Sequence, residues 1–469
     1  MKVKGERIKS INVIIVSTIF FGFLFYFGES KAFSLTIEEE QIMGEQFLNN
    51  VRRHFDMVDD DFANEYIDDL GHYLIKPLET KPFPFRFYIV KDNELNAFAG
   101  PGGHIFIFSG LIEVMDEIDE LAAVICHEIG HISGRHISQR VEQNKKIGIA
   151  TMAGILAGVL IGGKAAGAIT TGAVAAGIQK QLSYSRNDER HADQLGFNYT
   201  VASGFDPSGL ITILKKLHQG QWSGGDSIPP YLLTHPGGPE RMSNIDILLT
   251  NHTRNPETKL TKRFRELFPF FKTILSAKCL DPHEAERLFN RKLEKDPDSP
   301  MAHFGLGIVW KERSEYPRSI KHFQKALISL PDSLPVLRNL GEAYQLVGQD
   351  AKAIDILEKA LQIDNHDRST LYLLAVSYQQ QETFQKASRL YERLTLMEPV
   401  KDEVYYNLGV SYGREGRLAL AHYNFGIYFK RLKKIQKARF HFQKAEDLAK
   451  GDPTLRDRIN KAMKDMVSK

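Results

Sequence analysis

Two histidines four residues apart, His127 and His131, flank a glutamate in the stretch Cys126-His127-Glu128-Ile129-Gly130-His131. On a helix, positions i and i+4 share one face, so both imidazoles can reach a single metal ion. Glu128 is rotated off that face and can contact a metal-bound water instead. Two ligands and a general base on one turn make the H-E-x-x-H arrangement of a zinc hydrolase. A pattern this short also arises by chance in a chain with 16 histidines. The reading therefore requires a third ligand, a substrate cleft and elements that hold them together.

A third ligand to such a site must come from a separate helix. Tyr184-Ser185-Arg186-Asn187-Asp188-Glu189-Arg190-His191-Ala192-Asp193 opens a predicted helix, with Glu189 placed 58 residues beyond His131. Glu189 and Asp193 are four apart and share a face. The bland alternative is a pair of surface acids at a charged helix start. Upstream, Thr36 is a predicted N-cap for a helix running to Phe55, with Glu38, Glu39 and Glu40 in its first turn. Phe83, Phe85, Phe87 and Ile89 alternate, predicting a strand over Phe83–Val90. A glycine-rich turn at Asn96–Gly103 leads to a second apolar run, His104–Phe108, and then to the apolar-periodic run Leu121–Ile137 that carries the histidines. If His104–Phe108 is an edge strand, its free backbone groups could pair with an extended peptide. An ordinary interior strand is the alternative. Thr234-His235-Pro236-Gly237-Gly238-Pro239 follows a loop at Gln219–Pro230 and precedes another helix.

The 469 residues suffice for two or three domains, and 42% hydrophobic with 25% charged residues describes a globular chain. Residues 1–34 carry five basic and two acidic side chains, which leaves the remaining residues formally neutral. Nothing in that balance suggests nucleic acid as a partner. The leader reads as a secretory signal: a basic start, an apolar run from Val13 to Phe27, and Ala32-Phe33-Ser34 as a small-x-small cleavage site. An uncleaved anchor is the competing reading, although the run is short for a membrane span. Either way the body of the protein is exported. Cys126 and Cys279 do not form a disulfide framework, and Cys126 is expected as a small buried apolar residue. Residues 147–178 are mostly Ala, Gly, Ile, Val and Leu. They read as a soluble or membrane-surface lid of two closely packed helices, or as a hairpin that touches or enters the bilayer.

The second half is periodic. Gly307, Gly341, Ala375 and Gly409 recur every 34 residues, each after a leucine. Ser319, Ala353, Ala387 and Ala421 return in phase, as do Phe323, Leu357, Tyr391 and Phe425. A period of 34 with small residues at helix–helix contacts is the tetratricopeptide signature, with the aromatics expected to fill gaps between repeats. The polar stretch Thr454–Met466 reads as a capping helix. Such a solenoid is a binding surface that hydrolysis alone does not require.

The set of motifs in order resembles the periplasmic BepA-type metallopeptidases, relatives of HtpX, LoiP and the CAAX prenyl proteases. The matching residues are Asn96-Ala97-Phe98-Ala99 with Pro101-Gly102-Gly103, Gly110-Leu111-Ile112 and Asp119-Glu120-Leu121-Ala122-Ala123-Val124. They continue through His127–His131, Gly134-Arg135-His136, Tyr184-Ser185-Arg186, Glu189 with Ala192-Asp193, and Thr234-His235-Pro236 with Arg241. The resemblance covers residues 36 to about 250. It implies an α+β gluzincin peptidase domain followed by an α-solenoid of tetratricopeptide repeats, mainly α with a small β-sheet. The implied layout is a signal peptide at 1–34, a zinc metallopeptidase domain at 35–255 and a repeat domain at 256–469. It also implies one Zn2+ held by His127, His131 and Glu189, with Glu128 acting on the water and Asp193 fixing a ligand tautomer. His235 and Arg241 are implied near the metal, where the histidine either caps the open position or, as Arg241 also could, assists the oxyanion. His191 departs from the family pattern, which has glutamate there, and receives no role. The implied setting is the periplasm, with unfolded or misassembled outer-membrane proteins as substrates and the outer-membrane assembly machinery as a partner of the repeats.

Overall fold

The computed structural model describes residues 35–143, 184–219, 228–250, 252 and 257–466. The leader and residues 147–178, both singled out above, lie outside the described residues. Among the described residues, no helix is long and apolar enough to cross a membrane.

Helix α1 (Ile37–His54) starts at Thr36, whose side chain accepts from the Glu39 amide while Glu39 returns to the Thr36 N–H. This reciprocal capping box is the sequence-predicted start. Helix α2 (Asp61–Leu74) is capped by Asp60. Among the described residues the sheet has three strands, β1 (Arg86–Val90), β2 (Ala97–Ala99) and β3 (His104–Phe108), in the order β1-β3-β2. β1 runs parallel to β3 with Arg86 opposite His104, and β2 runs antiparallel with Ala99 opposite Ile105. The predicted strand at Phe83–Val90 begins only at Arg86, because Pro84 has no N–H to give to a ladder. Phe83 and Phe85 are nevertheless buried.

The edge-strand expectation for His104–Phe108 is corrected here. β3 is the central strand, and all five of its residues are buried. An uninterrupted apolar run marks a strand covered on both faces. β2 holds the sheet's other edge and packs beside the histidine-bearing helix.

Short helix α3 (Ser109–Glu113) leads into α4 (Ile118–Ser133), which is buried along almost its whole length. The apolar run predicted to Ile137 breaks at Gly134-Arg135, where Arg135 takes φ 51°, and α5 (His136–Gln143) restarts beyond it. Helices α6 (Arg186–Ala202), α7 (Ser208–Gln219), α8 (Pro230–Thr234) and α9 (Gly238–Thr250) complete the first half. α10 (Lys259–Cys279) packs against α2, α3 and α4 on one side. On its other side it meets the solenoid, so a single hydrophobic core runs from Val58 to Ala421.

The solenoid starts with α11 (Pro282–Lys295). Its pairs are α12/α13 (Pro300–Glu312, Tyr316–Ser329), α14/α15 (Leu334–Leu346, Asp350–Ile363), α16/α17 (Arg368–Gln380, Phe384–Leu394) and α18/α19 (Asp402–Arg414, Leu418–Arg431). α20 (Ile435–Leu448) and α21 (Pro453–Lys464) close it, with Leu455, Ile459 and Ala462 buried under the end cap. The two in-phase sets of the sequence are each other's partners. A methyl group on Gly341 would sit 2.6 Å from Leu357, and one on Gly409 2.8 Å from Phe425. Leu357 and Phe425 therefore fill the gap between the two helices of their own repeats, while Tyr344, Tyr378 and Tyr412 reach back to Gln324, Glu358 and Glu392 of the preceding repeats.

Candidate metal centre

Three backbone facts bring the site together. α4 places His127 and His131 one turn apart, both fully buried. α6 crosses α4 through small residues: a methyl on Gly130 would lie 2.7 Å from the Ala192 carbonyl, and one on Gly196 2.9 Å from the His127 backbone. With backbones this close, Glu189 and Asp193 on α6 reach the two imidazoles. The turn after α8 then delivers His235, and α9 delivers Arg241.

The donor atoms converge. Nε2 of His127 and Nε2 of His131 are 3.0 Å apart. Glu189 lies with Oε2 at 3.5 Å from His127 Nε2 and Oε1 at 3.4 Å from His131 Nε2. His235 Nδ1 is 3.1 Å from Glu189 Oε1 and 3.4 Å from His127 Nε2. One ligand atom from each of these four residues falls within 4.8 Å of the others. On the far side of His127, Nδ1 faces Asp193 Oδ1 at 2.9 Å. A carboxylate there requires the proton on Nδ1 and leaves the Nε2 lone pair for a metal.

Arg241 is buried behind this cluster. Its Nε and Nη2 donate to Asp193 at 2.9 and 2.7 Å, and Nη1 lies 2.8 Å from Glu189 Oε2. The guanidinium is thus committed to the carboxylates that hold and orient the histidines. Glu128 is equally buried, yet neither of its oxygens has a hydrogen-bond partner among the described residues, and His235 Nε2 stands 3.6 Å away.

This arrangement fits a divalent cation. Glu128, Glu189 and Asp193 bring three buried carboxylates against one buried guanidinium, a formal excess of two negative charges. Burial and Arg241 push the His127 pKa down, but Asp193 and Glu189 outweigh them and lift it to about 9. Burial raises the Glu189 carboxyl, and Arg241 with the surrounding histidines overcomes that to hold it well below the usual range. Such a pocket attracts positive charge, and two imidazoles with one carboxylate form a zinc donor set.

Sequence reasoning missed three members of the surroundings. Tyr184 stacks on His131 with centroids 3.8 Å apart, and Tyr231 stacks on His235 at 4.5 Å. Both hydroxyls are buried without a hydrogen-bond partner among the described residues, and burial with nearby Glu128 keeps them firmly protonated. His136, the third, lies with its Nδ1 3.0 Å from Nδ1 of His131. Burial pushes its pKa down to about 4. Tyr184 and His136 lay within motifs visible in the chain, but nothing in their spacing assigned them a contact. Cys126 is buried in α4, its thiol pushed up to about 12 by burial, as an inert apolar residue would be.

Residues 61–248 match the description of peptidase family M48. Residues 280–334, 336–369 and 372–424 match tetratricopeptide repeats. The chain combines a family M48 peptidase domain with tetratricopeptide repeats. A beta-barrel assembly-enhancing protease from Yersinia pestis is 27% identical over 378 residues, covering 79% of this chain and 76% of the relative. Its counterpart in Escherichia coli K12 is 32% identical over 222 residues, 46% of this chain and 45% of the relative. The mitochondrial metalloendopeptidase OMA1 of Arabidopsis thaliana is 28% identical over 204 residues, 44% of this chain and 36% of the relative. The match thus spans less than half of the Escherichia coli and Arabidopsis relatives. Among solved structures, the tetratricopeptide protein YrrB aligns with 37% of this chain and 97% of its own length, at 20% identity and a TM-score of 0.28.

Proposed function

We propose that this chain is a zinc-dependent endopeptidase of the cell envelope, acting on unfolded or misassembled proteins that its repeats help to hold. The observation that carries this reading is the convergence of His127, His131 and Glu189 beside the unpartnered carboxylate of Glu128. In this reading His127 and His131 hold the metal through Nε2, and Glu189 is the third ligand. Zinc, when bound, supplies a Lewis acid that polarises a carbonyl and lowers the pKa of bound water. Glu128 accepts the proton of the attacking water and returns it to the leaving amine. Asp193 keeps His127 in the required tautomer. Arg241 neutralises Glu189 and Asp193 and acts through them, so the oxyanion role expected for it passes to other donors. β2, an edge strand of the described sheet, is the strand to which an extended peptide would add. Binding through main-chain groups predicts broad sequence tolerance.

The names of the relatives, together with the exported leader, support a periplasmic site and outer-membrane β-barrel proteins as clients. The repeats would bind those clients or the assembly machinery. The test is metal analysis with a casein digest. Wild type is expected to carry one zinc and cleave, and Glu128→Gln to keep the zinc and lose cleavage. Metal-replete Glu128→Gln that still digests casein overturns the reading.

A second reading has its own support. His235 Nδ1 stands as a fourth donor, 3.1 Å from Glu189 Oε1. A histidine in that position closes the coordination sphere and leaves a latent protease whose repeats act as a chaperone or assembly factor. His235→Ala is then expected to raise casein cleavage. Unchanged or lower cleavage assigns His235 to the oxyanion instead.

A further inference from the structure

The two ligand histidines are held from behind by different chemistry. His127 Nδ1 meets the carboxylate of Asp193 at 2.9 Å, whereas among the described residues His131 Nδ1 meets another imidazole, Nδ1 of His136, at 3.0 Å. The backbone is arranged to make that second contact. Arg135 takes a left-handed φ of 51°, and its Nη2 donates to the Leu35 carbonyl at 2.7 Å and to Glu40 at 3.0 Å. This bolts the turn to the start of α1 and folds His136 back under His131. Gly134 leaves room for the ring, since a methyl there would lie 2.5 Å from His136 Nε2. His136 itself is buried, and its Nε2 faces Nδ1 of the exposed His191 at 3.0 Å.

These contacts have one consistent polarity. If Nε2 of His131 belongs to the converging donor set, its proton sits on Nδ1 and is donated to His136 Nδ1. His136 must then carry its own proton on Nε2 and donate it to His191 Nδ1, leaving His191 N–H at the surface. We infer that His136 is the positioning residue for His131, fixing its tautomer and ring plane for zinc. His191 is the terminal acceptor that locks His136 in turn. This inference rests on the metal-site reading above and goes beyond it in assigning two residues outside the ligand set. An imidazole nitrogen is a weaker acceptor than a carboxylate, so His131 is the less firmly held of the two ligands.

The test is zinc affinity of the full-length protein by competition with a chromophoric chelator, alongside melting of the metal-free protein. His136→Leu strands a buried N–H on His131 and is expected to weaken zinc roughly 10- to 100-fold, the usual effect of losing such a partner. His136→Gln offers a carbonyl oxygen in its place and is expected to recover most of that loss. His191→Ala should weaken zinc by less, and His191→Glu, with a stronger acceptor, should hold it as tightly as wild type or more so. His136→Leu binding zinc as tightly as wild type overturns the inference. So does a His136→Gln protein that binds as weakly as His136→Leu while its metal-free melting matches wild type. Failure of the metal-site reading would look different, because wild type itself would then bind no stoichiometric zinc.

Discussion

The metal centre and the solenoid are built on opposite principles within one continuous core. Around the metal centre every contact is used once: Asp193 has one histidine to orient, Arg241 two carboxylates to neutralise, and Gly196 one backbone to admit. In the solenoid one contact recurs, a glycine on the first helix receiving a large side chain from the second at Gly307, Gly341 and Gly409. The first region concentrates buried charge, and the second spreads modest apolar contacts along a line, where each repeat depends mainly on its neighbours. Damage to the first should therefore be severe and specific, and damage to the second graded.

The largest expected effect comes from charge. Arg241→Ala leaves Asp193 and Glu189 as buried carboxylates without their shared cation. Breaking such a pair costs about 3–5 kcal/mol. Urea unfolding of the metal-free protein is expected to show a loss of that size. The matching cut in the second region, Lys401→Ala, removes an ion pair to Asp61 that is half exposed on both sides and joins the solenoid to α2. It should cost less than about 1 kcal/mol. Equal losses would erase the distinction between the two regions.

An intermediate effect comes from packing. Gly341→Ala meets the flexible end of Leu357 and should cost about 1–3 kcal/mol with zinc binding intact. Gly196→Ala meets the His127 backbone, which cannot rotate away, so it should both destabilise the fold and weaken zinc. Unimpaired zinc affinity in Gly196→Ala would show that close approach of α6 to α4 is not what places Glu189.

The smallest effect is a pH signature at the seam between the regions. Asp60 caps α2 and pairs with Lys278 of α10 at 2.9 Å. Burial raises its carboxyl, but Lys278 and the Ala63 amide more than offset this, so its pKa is lowered. A group with a lowered folded pKa contributes stability above its unfolded value, near 4, and loses it as pH falls through the folded value. The stability difference between wild type and Asp60→Asn should be constant from about pH 5 to 7 and shrink below about pH 4. A difference that persists undiminished at acid pH would place its origin outside this pair.

The same contrast explains what could be read from the chain. Repetition announced the solenoid, because a position that returns every 34 residues can be counted. What counting could not say was which in-phase sets touch: Leu357 and Phe425 close their own repeats, whereas Tyr344, Tyr378 and Tyr412 join neighbours. In the first half, the helical spacing of His127 and His131 was local and legible. Glu189 lay far off in sequence, and only the small residues Gly130, Ala192 and Gly196 hinted at the helix crossing that brings it in. His104–Phe108 was left open between edge and interior, although four apolar residues in a row, Ile105 to Phe108, mark a covered strand. The contact from His136 to His131 depends on a left-handed turn at Arg135 held by the distant Glu40, which no local pattern encodes. The packing of α10 on both halves was likewise hidden, since its sequence reads as one more amphipathic helix.

The central claim is that His127, His131 and Glu189 hold one zinc ion, with Glu128 free beside it. The most direct measurement is a crystal structure of the zinc-loaded protein with anomalous scattering recorded at the zinc edge. The expected result is a single strong peak bonded to Nε2 of both histidines and to Glu189, with Asp193 behind His127. A peak elsewhere, or a coordination sphere that excludes Glu189, would contradict the account.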